Sequence, residues 1–176
     1  IQGDALKIIP ELHTKYLIPN TVYKLVGNIP YYITGHLLRT IGELESKPAI
    51  SVLMIQKEVA ERASAKPPKM NLLAAATQIW SDIEIIARLK PKDFDPPPKV
   101  DSAIIKIILS APLKVRGVRG VMKINPENLL NLARLAFQKK RKMLRQSIGK
   151  KIKLPEKFAT RRPEELSLED WAVILN

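Results

Sequence analysis

Asn28-Ile29-Pro30-Tyr31-Tyr32 holds residue types that could act on a flat, weakly nucleophilic amine. An aromatic amine attacks poorly because its lone pair is delocalised into the ring. Two acceptors, one on each N–H, can draw that lone pair out of conjugation. The Asn28 side-chain oxygen is one candidate acceptor, and a backbone carbonyl around Ile29-Pro30 is another. Tyr31 offers a flat face on which a base removed from its stack can rest. The same residues also suit a plain Asn-capped turn with surface tyrosines, and composition weighs the two readings equally. Two consecutive tyrosines are the harder feature to place, because a loop has little core in which to bury them.

The flanking residues say how this stretch is held. Val22 to Val26 has the β-branched and aromatic bias of a buried strand. Ile33, Leu37, Leu38, Ile41 and Leu44 fall at helical spacing. The stretch is therefore a strand-to-helix turn. In an open α/β sheet such turns lie outside the carboxyl ends of strands, where ligands bind.

Three other places bear on chemistry. Asp4, in Gly3-Asp4-Ala5-Leu6, follows an apparent strand end. There it can accept from an adenine amine or a ribose hydroxyl, or simply cap a helix over Ala5 to about His13. Phe94 opens a Pro-rich loop, Phe94-Asp95-Pro96-Pro97-Pro98-Lys99-Val100-Asp101-Ser102, which its three prolines should keep extended and stiff. Phe94 can close on the second face of a base, or plug the sheet edge. Lys139-Lys140-Arg141-Lys142, extended by Arg145 and Lys150-Lys151, is a run of one sign on an expected helix. Neighbouring like charges destabilise a helix by a few tenths of a kcal/mol per pair. Phosphate binding would offset that cost, so a nucleic-acid grip is favoured over a solvated face.

The order along the chain is strand, helix, strand (Ala49–Gln56), helix from Lys57, helix (Asn71–Trp80), then strands at Ile83–Leu89 and Ala103–Leu109. That pattern predicts an α/β sheet, mostly parallel with an antiparallel end, the Ala49–Gln56 strand being apolar enough for burial on both faces. Ala111 to Met122 reads as a basic linker. Asn125-Pro126-Glu127 is a strong helix start, followed by one apolar stripe at 129, 130, 133, 137, 144 and 148. The end, Arg161 to Leu175, reads as a turn and a short amphipathic helix with Trp171. The expected organisation is an α/β domain over 1–111 and a basic, all-α RNA-binding domain over 112–176.

Composition narrows the partners. There are 30 Lys and Arg against 17 Asp and Glu, a net of +13. Residues 1–111 hold 14 basic and 11 acidic side chains, a net of +3, and residues 112–176 hold 16 and 6, a net of +10. That asymmetry points to a polyanion, nucleic acid before membrane. With no Cys, thiolate metal sites and cysteine nucleophiles are excluded, and an intracellular, cytoplasmic setting is expected. His13 and His36 lack metal-ligand spacing, and no metal is expected. Neither a membrane span nor a signal-peptide pattern is present in the sequence. The chain opens on Ile1-Gln2-Gly3-Asp4, like the end of a strand without its beginning, so an N-terminal portion is expected to lie outside it.

These motifs, in this order, resemble the ribosomal small-subunit RNA adenine dimethyltransferases of the KsgA type. The resemblance rests on Gly3-Asp4-Ala5-Leu6, Asn28-Ile29-Pro30-Tyr31, Gln56-Lys57-Glu58-Val59-Ala60-Glu61-Arg62 and Phe94 to Ala103. It continues through Ala136 to Arg145 and Arg162 to Leu168, and so covers essentially all 176 residues. It implies a Rossmann-like class I methyltransferase sheet, without its first strands, followed by a small helical domain. It implies transfer of methyl groups from S-adenosylmethionine to the exocyclic amines of two adjacent adenosines near the 3′ end of small-subunit rRNA, within immature 30S-type subunits, by a monomer. By the resemblance, Asp4 and Ala5 contact the cofactor, and Asn28 and Pro30 hold the amine. Tyr31 and Phe94 sandwich the base, and Lys139, Lys140, Arg141, Lys142 and Arg145 grip RNA backbone. The family's glycine-rich cofactor loop, upstream of Gly-Asp-Ala-Leu, is not within these residues. The loop after Lys66, glycine- and tyrosine-containing in the family, is Pro67-Pro68-Lys69-Met70-Asn71 here. Two other functions remain: a large-subunit rRNA adenine methyltransferase of the antibiotic-resistance type, and a non-catalytic RNA-binding or ribosome-assembly factor.

Overall fold

The computed structural model describes residues 2–15, 21–111, 114–117, 120–123, 125–139 and 141–175, with the backbone alone at 12–14, 114–117 and 120–123. The chain divides into two compact units, residues 1–61 with 81–110, and residues 62–80 with 111–176. Residues 62–80 thus group with the C-terminal residues, a placement that the linear division at 111 and 112 does not contain. Among the described residues no helix is long and apolar enough to cross a membrane.

The first unit is built on a four-stranded sheet in the order β1-β2-β4-β3. Its strands are β1 (Lys24–Asn28), β2 (Ile50–Gln56), β3 (Ser81–Leu89) and β4 (Ser102–Leu109). β1 and β2 are parallel, whereas β2–β4 and β3–β4 are antiparallel. Of the described pairings only one is parallel, so the expectation of a mostly parallel sheet is corrected. Joined to β3 through the Pro-rich loop, β4 returns antiparallel and lies between β2 and β3.

On β2, Ser51, Leu53 and Ile55 are buried, while Ile50, Val52 and Met54 on the other face are only half-buried. The expected two-sided burial of this strand is reduced to one side among the described residues. β3 carries an extra residue between Ile85 and Ala87. Ile86 occupies this irregularity and is largely exposed, as a bulge on an edge strand allows. Helix α1 (Ala5–Lys15) precedes the sheet, and α2 (Thr34–Glu43) follows β1. α2 buries Leu37, Leu38 and Ile41, the stripe expected from spacing. β1 is an edge strand, and Val22 before it and Val26 within it are largely exposed.

Helix α3 (Lys57–Ala63) follows β2 directly, and α4 (Leu72–Gln78) starts at Asn71. The Asn71 side chain accepts the Ala74 N–H at 3.1 Å and donates to the Arg62 carbonyl at 2.8 Å. The second unit continues with a hairpin, β5 (Lys114–Gly117) and β6 (Gly120–Lys123). This corrects the expected linker over Ala111–Met122 and the expectation of an all-α unit. Only Lys114-Val115-Arg116 alternates there, Val121 and Met122 being consecutive, so the strand pattern is partial and the basic charge obscures it.

Helix α5 (Pro126–Phe137) is capped as expected, with Asn125 Oδ1 accepting from the Glu127 and Asn128 N–H groups. Short helices α6 (Leu144–Ser147) and α7 (Glu156–Ala159) precede α8 (Leu168–Leu175). Their core joins Ala74 and Ala75 of α4 with Leu129, Ala133, Leu144, Ile148, Phe158 and Trp171. Trp171 and Phe137 meet with ring centroids 6.3 Å apart, tilted by 44°.

The helix expected to run unbroken through 148 ends at Phe137. The Lys142 N–H turns back to the Lys139 carbonyl at 2.8 Å, and α6 restarts at Leu144. A crowd of like charges gives continued helix little support. The break instead lets Leu144 and Ile148 enter the core that Phe158 and Trp171 share.

Candidate functional site

β1 delivers the central residues by its register. Asn28 pairs with Met54 on parallel β2, and the Ile29 N–H extends the ladder with a 3.1 Å bond to the Met54 carbonyl. Pro30 has no N–H, so pairing stops there. Its φ of −54° and ψ of 130° turn the chain into one 3₁₀ turn, Tyr31–Ile33, closed by the Ile33 N–H on the Pro30 carbonyl at 3.1 Å. Helix α2 then carries the backbone away. Asn28, Pro30 and Tyr31 therefore project from the carboxyl end of a parallel strand pair, the place where α/β sheets bind ligands. The strand runs two residues further than the sequence suggests and takes in Gly27 and Asn28.

Across the sheet end lies the Pro-rich loop. It begins with a 3₁₀ turn, Pro91–Asp93, in which Asp93 Oδ2 accepts the Lys90 N–H at 2.7 Å and the Phe94 N–H reaches the Pro91 carbonyl at 3.2 Å. Bends follow, with a cis peptide at Asp95–Pro96. The extended course expected over Phe94 to Ser102 is interrupted by bends at 94–96 and 99–100.

A cavity of about 310 Å³ opens between these elements, lined by Asn28, Ile29, Pro30, Tyr31, Met54, Phe94, Pro96 and Pro98. It falls at the small end of the range of ligand sites. Two flat rings, Tyr31 and Phe94, contribute to one space, and both are half-buried. Asn28 is exposed, and its amide makes no hydrogen bond among the described residues. Among those residues the Ile29 carbonyl accepts none either, while the Pro30 carbonyl is taken by Ile33. Of the two backbone carbonyls, that of Ile29 is thus the unbonded one among the described residues. Tyr31 and Tyr32 separate: Tyr31 faces the cavity, and Tyr32 is 90% exposed.

The Tyr31 hydroxyl is not free. It lies 2.6 Å from Ser102 Oγ, and Ser102 has no exposed surface. Next to it, Asp101 Oδ2 accepts from Lys90 Nζ at 2.8 Å and Lys57 Nζ at 3.4 Å, and the Asp101 carbonyl accepts the Lys57 N–H at 3.0 Å. The hydrogen bond from Lys90, aided by Lys57, holds the Asp101 carboxyl below the usual carboxylate range.

Asp4 and Ala5 stand elsewhere: neither lines the cavity around Asn28. Asp4 Oδ1 accepts the Leu6 N–H at 2.9 Å and its carbonyl accepts from Lys7 and Ile8, so it caps α1. Gly3 before it takes φ +153°, where a side chain would be strained and a Cβ would meet Ile8 at 2.7 Å. The exposed Asp4 carboxylate keeps its second oxygen free among the described residues. That edge suits an amine or hydroxyl donor, as a bound nucleoside offers.

In the second unit, Gln138, Lys139, Arg141, Lys142, Arg145, Gln146 and Lys150 line a cavity of about 970 Å³. Lys139, Arg141, Lys142 and Arg145 of the basic run come together there, and Lys140 lies outside the described residues. They sit on the turn between α5 and α6 and on α6 itself, not on one long helix. Leu144 is fixed by its N–H on the Arg161 carbonyl at 2.8 Å. Arg161 in turn donates to Asp170 Oδ2 at 3.1 Å and to the Glu165 carbonyl.

The sequence offered Met54 and Ser102 no site role, and Pro96 and Pro98 only that of stiffening the loop. Parallel pairing from Asn28 was the signal for Met54. Ser102 gave none, because a hydroxyl partner for Tyr31 lies 71 residues away in sequence.

Residues 1–165 match the family model described as ribosomal RNA adenine dimethylase. The chain is 35% identical over 182 residues to ribosomal RNA small subunit methyltransferase A of Dehalococcoides mccartyi, covering 97% of this chain and 60% of that protein. It is 37% identical over 196 residues to the protein of the same name from Trichormus variabilis, covering 100% of the chain and 69% of the relative. The chain thus spans about 60% of the length of the Dehalococcoides relative. Among solved structures, a dimethyladenosine transferase from Plasmodium falciparum superposes with a TM-score of 0.72 at 22% identity, covering 98% of this chain and 69% of that one. The 23S rRNA methyltransferase ErmE gives 0.71 at 18% identity, covering 99% and 69%. The fold is that of these Rossmann-like α/β methyltransferases.

Proposed function

Because the chain belongs to the ribosomal RNA adenine dimethylase family, we propose that it carries the target-base side of an RNA adenine N6,N6-dimethyltransferase. The substrate is two adjacent adenosines near the 3′ end of small-subunit rRNA, presented by an immature small ribosomal subunit. The observation that carries this reading is the exposed Asn28 amide, unbonded among the described residues, in a base-sized cavity shared with Tyr31 and Phe94. The small-subunit names of the curated relatives favour this substrate over large-subunit rRNA.

Asn28 Oδ1 and the Ile29 carbonyl accept the two N–H bonds of the adenine amine. This leaves the nitrogen lone pair out of conjugation, directed out of the ring plane and available for attack. Tyr31 and Phe94 stack on the two base faces and replace the neighbours lost on extrusion, each worth about 1–3 kcal/mol. S-adenosylmethionine supplies the methyl group on a positively charged sulfur. When bound, it would offer that methyl to the amine nitrogen and would leave as the neutral sulfide with the S–C bonding pair. The surplus amine proton departs afterwards to water from the Asn28 side, and no strong base is required. On the donor side, the free edge of Asp4 and the first turn of α1 at Ala5 are the residues of this chain that fit a bound adenosyl group. The basic cavity at 138–150 holds RNA backbone.

The test is transfer of labelled methyl from S-adenosylmethionine to immature small subunits by the protein that contains this chain, followed by nucleoside analysis. N6,N6-dimethyladenosine is expected. Asn28→Ala should lower turnover on the order of a hundredfold, with RNA retention unchanged. Undiminished turnover in that variant overturns the reading.

A further inference from the structure

We propose that Ser102 is a positioning residue for the target base, acting through Tyr31. The proposal rests on the reading of the cavity given above. Tyr31 stands on a single 3₁₀ turn, a short element with few bonds of its own. Among the described residues, the half-buried Tyr31 side chain hydrogen-bonds outside that turn. Its hydroxyl supplies a restraint, at 2.6 Å from Ser102 Oγ.

Ser102 is well placed to provide it. It is the first residue of β4, a strand paired on both sides, and its partners in register are Gln56 on β2 and Leu89 on β3. It has no exposed surface, so its own hydroxyl is shielded from water. The same strand start ends the loop that bears Phe94. Asp101 ties that end to Lys57 through a backbone bond of 3.0 Å and to Lys90 at 2.8 Å. One anchored point therefore fixes the Tyr31 wall directly and the Phe94 loop at its far end. A ring held before the base arrives loses little freedom on stacking, which is how preorganisation strengthens binding. Ser102 does not line the cavity and touches no substrate.

The test uses the 176-residue chain and an rRNA 3′-end fragment with 2-aminopurine at one of the two adjacent adenosine positions. Stacking between Tyr31 and Phe94 quenches the probe in the wild-type complex. Ser102→Ala should give a complex several-fold brighter, compared with wild type at protein concentrations where anisotropy shows the RNA fully bound. Tyr31→Phe should do the same, and the double variant should be no brighter than either single one. Ser102→Thr keeps the hydroxyl and should restore quenching. Circular dichroism checks the fold of each variant, and Tyr31→Phe with Ser102→Thr decides the matter if Ser102→Ala does not fold. Complexes of Ser102→Ala and Tyr31→Phe as dark as wild type overturn the positioning role. A wild-type complex as bright as free RNA overturns the target-base reading itself, and this role with it.

Discussion

The Lys90 ammonium donates to Asp101 Oδ2 over 2.8 Å, and these two residues bracket the loop that carries Phe94. The loop leaves the sheet after Leu89 and returns at Ser102, residues that are themselves paired. The ion pair thus closes a loop whose ends the sheet already holds, and Lys57 joins it from the start of α3.

This arrangement predicts a pH dependence. The folded-state pKa of Asp101 is lowered by Lys90 first and Lys57 second. A depressed carboxylate contributes stability that is complete above the ordinary carboxylate range and is lost as pH falls through the lowered value. Melting temperatures of wild type and Asp101→Asn should therefore differ at neutral pH and converge in acid. Curves that stay parallel across the acid limb would remove Asp101 from the stabilising set.

The basic cavity predicts a salt effect. Each phosphate contact on RNA contributes about 0.7–0.9 to the slope of log affinity against log salt. Replacing Lys139, Arg141, Lys142 and Arg145 with Ala should lower that slope by roughly 3. Filter binding across a range of salt concentrations measures it, and an unchanged slope takes the α5–α6 turn out of the interface.

Trp171 predicts where the second unit is most vulnerable. Its side chain is fully buried in the cluster with Phe137 and Phe158. Trp171→Ala should cost about 3–5 kcal/mol, read by urea unfolding with Trp80 fluorescence as the probe. Trp171 Nε1 has no hydrogen-bond partner among the described residues. Trp171→Phe should therefore cost clearly less, since it removes an unpaired donor along with the lost contacts. Equal losses in the two variants would contradict this packing.

Much of this molecule was legible in its sequence because local rules agreed with tertiary demand. The α2 stripe of Leu37, Leu38 and Ile41 is buried as its spacing requires, and Asn125 caps α5 as its position before Pro126 requires. Asn28, Pro30, Tyr31 and Phe94 share one cavity because strand ends gather loops at one edge of a sheet. The failures have physical causes too. The β5–β6 hairpin alternates only over Lys114-Val115-Arg116, too short a signal to outweigh its charge, and a continuous apolar stripe hid the helix break after Phe137. Sheet direction depended on where β4 inserts, which no local pattern encodes. Asp4 was open between two roles, and the structure displays its capping bond.

Crosslinking tests the cavity most directly. The chain would be irradiated with an rRNA 3′-end fragment bearing a photoreactive adenine at one of the two adjacent target positions, and the joined peptide mapped by mass spectrometry. Attachment at Tyr31 or Phe94, lost on competition with unmodified fragment, is the predicted result. Attachment only in the Gln138–Lys150 region, with none between Asn28 and Tyr31 or at Phe94, would contradict a base site in this cavity.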